Sequence, residues 1–462
     1  MKKTIVINVV GLTSRLIGEY TPFIKSFVEK GNATVIKPML PAVTCSVQST
    51  YLTGKWPAEH GIVGNGWYFK DECEVKFWRQ SNKLVEADKI WDRLKKKDPG
   101  FSVANLFWWY NMYSSADYSV TPRPNYLADG RKIPDIYSEP SELRDMLQEK
   151  LGTFPLFHFW GPKTSIKSSK WIADAAIATD DMHNPTLSLV YLPHLDYNLQ
   201  RHGINFEYIS EDLKEIDAVV EQLVLHYQKQ DCQIILLSEY GITNVNNPIH
   251  LNRILRKQGY IAIRKERGLE LLDAGASRAF AVADHQIAHI YLNDKSLKHE
   301  LRKLLQEVQG VQQVLMNEKL TEHHLDHNRA GDLIVVADKD SWFTYYFWLD
   351  DAKAPDYARM VDIHKKPGYD PVEMFTDPSD KLVMPKVIGK LLKKKMGFRT
   401  LMNIIPLKAE LVKGSHGRIP EETEDFPVFI STAKNIIPSE PILPIDVCAL
   451  IEQHVLDDNS TN

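Results

Sequence analysis

The chain has 462 residues and only four cysteines, at positions 45, 73, 232 and 448. No two stand in C-x-x-C spacing, so neither a zinc knuckle nor a disulfide framework is expected. Isolated reduced thiols fit a cytoplasmic protein. No apolar run is long enough to cross a bilayer. The N-terminal Met1-Lys-Lys and TIVINVV resemble the start of a signal peptide only superficially. The apolar run is short, contains Asn8 and lacks a small-residue cleavage site, so a first core strand is expected instead. Neither sign of charge is in excess: the net charge is −4. That balance gives no reason to expect a nucleic-acid polymer or an anionic membrane as partner. The basic runs Lys95–Lys97 and Lys390–Lys395 then read as solvated helix faces. There is no internal repeat, G-x-S-x-G elbow, P-loop or G-x-G-x-x-G.

What is present is an ordinary globular composition, 44% hydrophobic and 25% charged. It suits one large α/β domain over 1–462. Residues 4–10 read as a buried strand, followed by a helix that opens at Thr21-Pro22 and stops at Gly31. ATVIKPML reads as a second strand. TLSLVYL (186–192) and CQIILL (232–237) are further buried strands, flanking a helix over 207–229 with Ile209, Leu213, Ile216, Val220 and Leu223 on one face. The alternation predicts a doubly wound, mostly parallel sheet flanked by helices, with sites beyond the carboxyl ends of strands. A small α+β module is expected as an insertion at about 255–330. Residues 342–371 form a long irregular stretch, which favours a functional or intersubunit role.

The chain is organised around PAVTCSVQSTYLTGKWPAEHGIVGN, residues 41–65. Thr44 to Leu52 suits a short helix and Gly54 its end. A Pro/Gly-rich loop follows. A hydroxyl at such a helix start is either a cap or a group presented where N–H donors and the positive dipole end converge. The segment resembles the nucleophile element of the type I phosphodiesterase/nucleotide pyrophosphatase family of the alkaline phosphatase superfamily. Thr44, Thr53-Gly54, Pro57, His60-Gly61-Ile62 and Asn65 match its motifs in order and spacing. The resemblance implies an alkaline-phosphatase-like fold, hydrolysis of phosphate esters or diesters, Thr44 as nucleophile and Asn65 as a substrate-binding group. It is not the Cys-x-Pro-x-Arg element of sulfatases.

The resemblance also implies divalent metal, zinc above all, held by ligands spread along the chain. Here their pattern is thinned. The first aspartate falls on Val10. Asp196 is kept, but the partner four residues on is Gln200, with His202 two further. Ser238-Glu239-Tyr240-Gly241 stands where Ser-Asp-His-Gly is expected, and His416-Gly417 is kept. Val47 replaces an asparagine that helps to hold the phosphoryl group. Asp196, Glu239, His416 and His202 are thus the expected metal set, for one ion or none. The alternative function is a metal-poor relative that binds a phosphorylated or aromatic metabolite, or a partner protein.

Other candidates are local. The aromatic stretches 67–80 and 101–113 serve as core, as contacts in a homo-oligomer, or as a stacking wall in which Trp109 holds a flat substrate group. Tyr240 is a further substrate-binding candidate. Arg123 and Arg131 lie in a Pro/Gly-rich loop from which a cation can reach a phosphate. His285 and His289 (DHQIAH) and His364 are read as ligands, bases or structural groups.

Overall fold

A computed structural model of the chain describes residues 1–128, 131–362, 366–368, 370–433, 436–438 and 440–456. His364 and Tyr369 lie outside the described residues. The first half supplies β1 (Thr4–Val9), α1 (Pro22–Lys30), β2 (Asn32–Val35), α2 (Thr44–Thr53), β3 (Val103–Leu106), β4 (Tyr118–Pro122) and β5 (Ile136–Glu139). Then follow α3 (Ile166–His183), β6 (Leu187–Leu192), α4 (His194–His202), α5 (Phe206–Gln228) and β7 (Gln233–Leu237). A second sheet uses β8 (Ala279–Asp284), β9 (Ile287–Leu292), β10 (Val311–Leu315) and β11 (Leu333–Ala337). The chain ends with α6 (Val383–Lys395), β12 (Val428–Ser431) and α7 (Asp446–Leu456).

The main sheet has the order β2-β12-β7-β1-β6-β3-β4-β5. Its five central strands are parallel, and β2, β12 and β5 join antiparallel. β1 sits in the middle, and all six of its residues are buried. A β-branched, nearly continuous apolar run can bury both faces only between two helical layers. Each of Ile5, Val6, Ile7 and Val9 is wholly buried, a stabilisation of roughly 1.5–3 kcal/mol per side chain. Asn8 pairs with Tyr191 on one side and Leu237 on the other. That register brings the carboxyl ends of β1, β6 and β7 to one place.

Two segments differ from the sequence expectation. The strand expected to run through ATVIKPML is short, because Pro38 and Pro41 remove ladder donors. Residues 193–203, between the strand read at 186–192 and the helix read from 207, hold a further helix, α4, which starts directly after Pro193.

α2 is buried along all ten residues. Its threonine hydroxyls help to make this possible, because those of Thr44, Thr50 and Thr53 each find a partner. Thr50 Oγ1 lies 3.0 Å from His60 Nε2, and Thr53 donates to the Ser49 carbonyl at 2.7 Å. Gly54, at φ +68°, turns the chain out of the helix, a conformation that glycine adopts without strain.

The second sheet is antiparallel, ordered β8-β9-β11-β10, and carries its own apolar cluster. It runs from Ala279 to Ala337. The tip of its β8–β9 hairpin reaches the loop after α2. Asp284 there accepts the Asn65 backbone N–H at 3.1 Å and the Asn65 side-chain amide at 3.2 Å. The long stretch after Ser341 folds through short 3-10 turns over a third cluster, with Trp342, Tyr345, Tyr346 and Trp348 inside.

Candidate active site

The loops after β3, β6 and β7 and the start of α2 enclose a cavity. Thr44 and Tyr240 stand at its base, with Asp196, Tyr191 and Tyr197. Trp78, Trp109, Phe159 and Trp160 form an aromatic wall, and His285 and His416 close another side. Neither Lys nor Arg is among the described residues that line it.

Thr44 is the first residue of α2, and the cap position belongs to Val43. The Thr44 hydroxyl is not a cap: it lies 3.0 Å from the Tyr240 hydroxyl. Tyr240 donates its single proton to Asp196 Oδ1 at 3.4 Å. Thr44 is therefore the donor in the first contact. The chain of hydrogen bonds runs one way, from Thr44 through Tyr240 to Asp196. The other Asp196 oxygen accepts from the Gln200 amide at 2.7 Å. Burial pushes the Asp196 carboxyl up to about 7, against the hydrogen bonds of Gln200 and Tyr240. Burial likewise drives the Tyr240 phenol well above its ordinary value, so it stays protonated.

A second network lies beneath Thr44. Glu239 Oε1 accepts from the Asn8 amide at 2.6 Å and from Gln48 Nε2 at 2.5 Å. Gln48 also accepts the Trp109 backbone N–H at 2.7 Å, which fixes the aromatic wall to α2. Burial pushes Glu239 up to about 8, although both amides pull the other way. At neutral pH Glu239 is an uncharged acid. His416 donates from Nδ1 to the Ala42 carbonyl at 2.7 Å. Its ring stacks on Tyr240 at 3.7 Å between centroids and meets His285 at 3.9 Å. Burial lowers its pKa to about 3, so it is neutral.

The structure thus brings Thr44, Asn65, Trp109, Asp196, Tyr240 and His416 to one cavity, with Glu239 directly beneath Thr44. Asn65 has little left to offer a ligand: its Oδ1 accepts the Cys45 N–H at 2.9 Å and its amide donates to Asp284. His202 is elsewhere. It lines a separate groove and its ring stacks on Tyr208 at 4.9 Å. Arg123 and Arg131 do not line the cavity. His289 is a structural residue, giving Nε2 to the Val63 carbonyl and accepting the Gly331 N–H, both at 3.0 Å. His285 lines the cavity from the hairpin turn, at φ +59°. Trp108 and Tyr110 are core. Sequence reasoning missed Gln48, Tyr191 and Trp160. A polar residue one turn after Thr44 on a buried helix was the available sign of Gln48. Asn8 had shown itself as the polar residue in an otherwise apolar strand.

The donor set does not fit a two-ion centre. Val10 offers no donor, and Tyr240 is a protonated phenol. Glu239 Oε1 is occupied by two amides. Among the described residues, the group of three or more His, Cys, Asp or Glu whose ligand atoms all lie within 4.8 Å of one another is His194, Asp212 and Glu215. Asp196, Glu239 and His416 do not make such a group. His194 Nε2 lies 3.1 Å from Asp212 and 3.2 Å from Glu215. Burial lowers the His194 pKa, but the two carboxylates outweigh it and raise it overall. That is the signature of an imidazolium ion pair.

Comparison with known proteins places this geometry. The family described as type I phosphodiesterase / nucleotide pyrophosphatase matches residues 4–370. Ectonucleotide pyrophosphatase/phosphodiesterase 2 of Saccharomyces cerevisiae is 25% identical over 268 residues, 53% of this chain and 48% of the relative. An ectonucleotide pyrophosphatase/phosphodiesterase of Caenorhabditis elegans is 22% identical over 312 residues, 65% of this chain and 34% of the relative. The chain spans about half the length of the first relative and a third of the second. Among solved structures, murine ectonucleotide pyrophosphatase / phosphodiesterase 5 is similar at a TM-score of 0.60 and 14% identity, over 100% of this chain and 96% of that one. Phosphonoacetate hydrolase from Sinorhizobium meliloti, in complex with phosphonoformate, has a TM-score of 0.60 at 14% identity, over 98% and 96% of the two chains. These likenesses establish an alkaline-phosphatase-like α/β fold. With that fold and a family match running from β1 into the long stretch after the second sheet, the chain belongs to the type I phosphodiesterase/nucleotide pyrophosphatase family.

Proposed function

We propose that the cavity hydrolyses a small phosphodiester with Thr44 as nucleophile and Asp196 as the final proton acceptor. The observation that carries this is the one-way chain Thr44–Tyr240–Asp196. As Thr44 Oγ1 bonds to phosphorus, its proton passes to Tyr240 while the Tyr240 proton passes to Asp196. The bond to the leaving alcohol breaks, and Asp196 returns the proton to the alcohol oxygen. Water then cleaves the phosphothreonine by the reverse relay. An acceptor whose pKa is about 7 is matched to such work near neutral pH. No step is drawn through a metal, because the donor set does not fit the two-ion centre usual for the family.

The lining supports a diester over a monoester. With no Lys or Arg among the described residues of the wall, a dianionic phosphate meets no counter-charge there, whereas a diester carries only one negative charge. The aromatic wall suits a flat organic group on the ester. Relatives named as nucleotide pyrophosphatase/phosphodiesterases make a nucleotide-like ester the first substrate to try. The test is turnover of bis(p-nitrophenyl) phosphate and p-nitrophenyl phosphate by the parent and by Thr44→Ala. Turnover of the diester that vanishes in the variant is expected. Equal turnover by the two proteins overturns the mechanism.

A second function, binding without chemistry, is favoured by Val10 and Val47 standing where the family has polar groups. It predicts no turnover of either ester by the parent, together with saturable quenching of the cavity tryptophans by an aromatic phosphate.

A further inference from the structure

We propose that α6 and the turn after it form a docking surface for an anionic lipid bilayer. Met384, Ile388, Leu391 and Leu392 recur at helical spacing on one face of α6, each about half or more exposed. Val387, on another face of the helix, is buried and holds it to the body of the protein. Met396 and Phe398 extend the apolar surface beyond the helix, at 66% and 63% exposure. Among the described residues, eight of the twenty-one exposed large apolar side chains fall within residues 382–401. A contiguous apolar patch of that kind marks an interaction surface and not chance exposure.

Charge says which partner covers it. Residues 381–409 contain eight Lys or Arg and neither Asp nor Glu, in a chain of net charge −4. Lys386 and Lys408 are paired, with Asp380 and Asp377 from just outside that span. Lys393, Lys394 and Lys395 make no ion pair among the described residues and close the last turn of the apolar helix. The core of a protein–protein interface is depleted in lysine. An apolar helical face with lysines beside it suits a bilayer interface, where the acyl boundary takes the apolar side chains and the stems of Lys reach anionic headgroups. The rest of a net acidic surface is repelled by such a membrane, so contact is confined to this face. The protein would lie on the bilayer and not span it, since no helix of the described residues is long and apolar enough to cross one. This departs from the expectation drawn from overall charge, in which Lys390–Lys395 are a solvated face: the average over the chain hides a local run of one sign.

The test is co-sedimentation of the full chain with phosphatidylcholine vesicles, with and without phosphatidylserine. The expected result is binding to the serine-containing vesicles that weakens as salt rises and is weak on phosphatidylcholine alone. Charge reversal at Lys393, Lys394 and Lys395 lowers partitioning more than tenfold, as does the pair Ile388→Ser and Leu391→Ser. Both variants change exposed side chains, and each is required to keep the parent's thermal transition. A parent that stays in the supernatant with serine-containing vesicles overturns the proposal, as do variants that bind like the parent. So does a homo-oligomer in vesicle-free solution that the serine pair dissociates, because the face then joins two copies of the chain.

Discussion

The two walls of the Thr44 cavity were built under different constraints. One wall is α2 and the loop after it, where Thr44, Gly54, His60 and Asn65 keep the family pattern. The other is the set of strand ends after β1, β6 and β7, where Val10, Gln200, Glu239 and Tyr240 depart from it. On the first wall the side chains support backbone. Asn65 holds the Cys45 N–H, and Thr50 meets His60. On the second wall Glu239 is bonded to Asn8 and Gln48, and Asp196 to Gln200 and Tyr240. Side chains that hold a backbone shape are tied to it. Side chains that bond to one another can be replaced together, provided that each buried polar atom finds a new partner.

Four substitutions test that difference, from the largest expected effect down. Thr44→Ala should lower diester turnover by a factor on the order of 10³ or more with unfolding unchanged. Tyr240→Phe keeps the ring on His416 but removes the relay, so a loss of roughly a hundredfold in kcat with little change in KM is expected. A KM effect alone would make Tyr240 part of the binding wall and not of the relay. On the supporting wall the effect should appear in stability. Asp284→Ala strands two Asn65 donors, at a cost of roughly 3 kcal/mol in urea unfolding. A loss of activity without that cost would erase the distinction between the walls.

Near pH 4.5, Glu239→Gln is the mildest change. Burial holds the Glu239 carboxyl at about 8 in the folded protein, against an ordinary value of 4.5. Between those two values the unfolded chain gives up a proton that the folded chain keeps, so the parent loses stability as pH rises across that window. Near pH 4.5 the variant should match the parent within about 1 kcal/mol. Toward pH 8 the difference should move in favour of glutamine. A difference that is flat in pH would mean that Glu239 is already charged.

The fold was legible because its signals are continuous along the chain. The apolar runs of β1, β6 and β7, the periodicity of α5 and the glycine after α2 each state a local preference that the tertiary structure keeps. α4 was missed because it is short and polar and starts directly after Pro193. Its apolar positions, Leu195 and Leu199, make only one turn of pattern. The site was half legible. Motif spacing led to Thr44, Asp196, Tyr240 and His416. It also led to His202, since distance along the sequence does not reveal that the ring turns away to stack on Tyr208. Gln48 and Trp160 carry no motif, and only the packing brings them to the cavity.

The clamp between Asp284 and Asn65 joins residues 219 positions apart in the chain. It decides how the molecule can be dissected. A fragment that ends before the second sheet keeps β1, β6, β7 and α2, though it loses β12 and with it the pairing of β2. It lacks the carboxylate that orients the amide which in turn orients the first turn of α2. The smallest unit that holds Thr44 in place is therefore both sheets together, and shortening the chain from within would loosen the start of α2 before it unfolded the core.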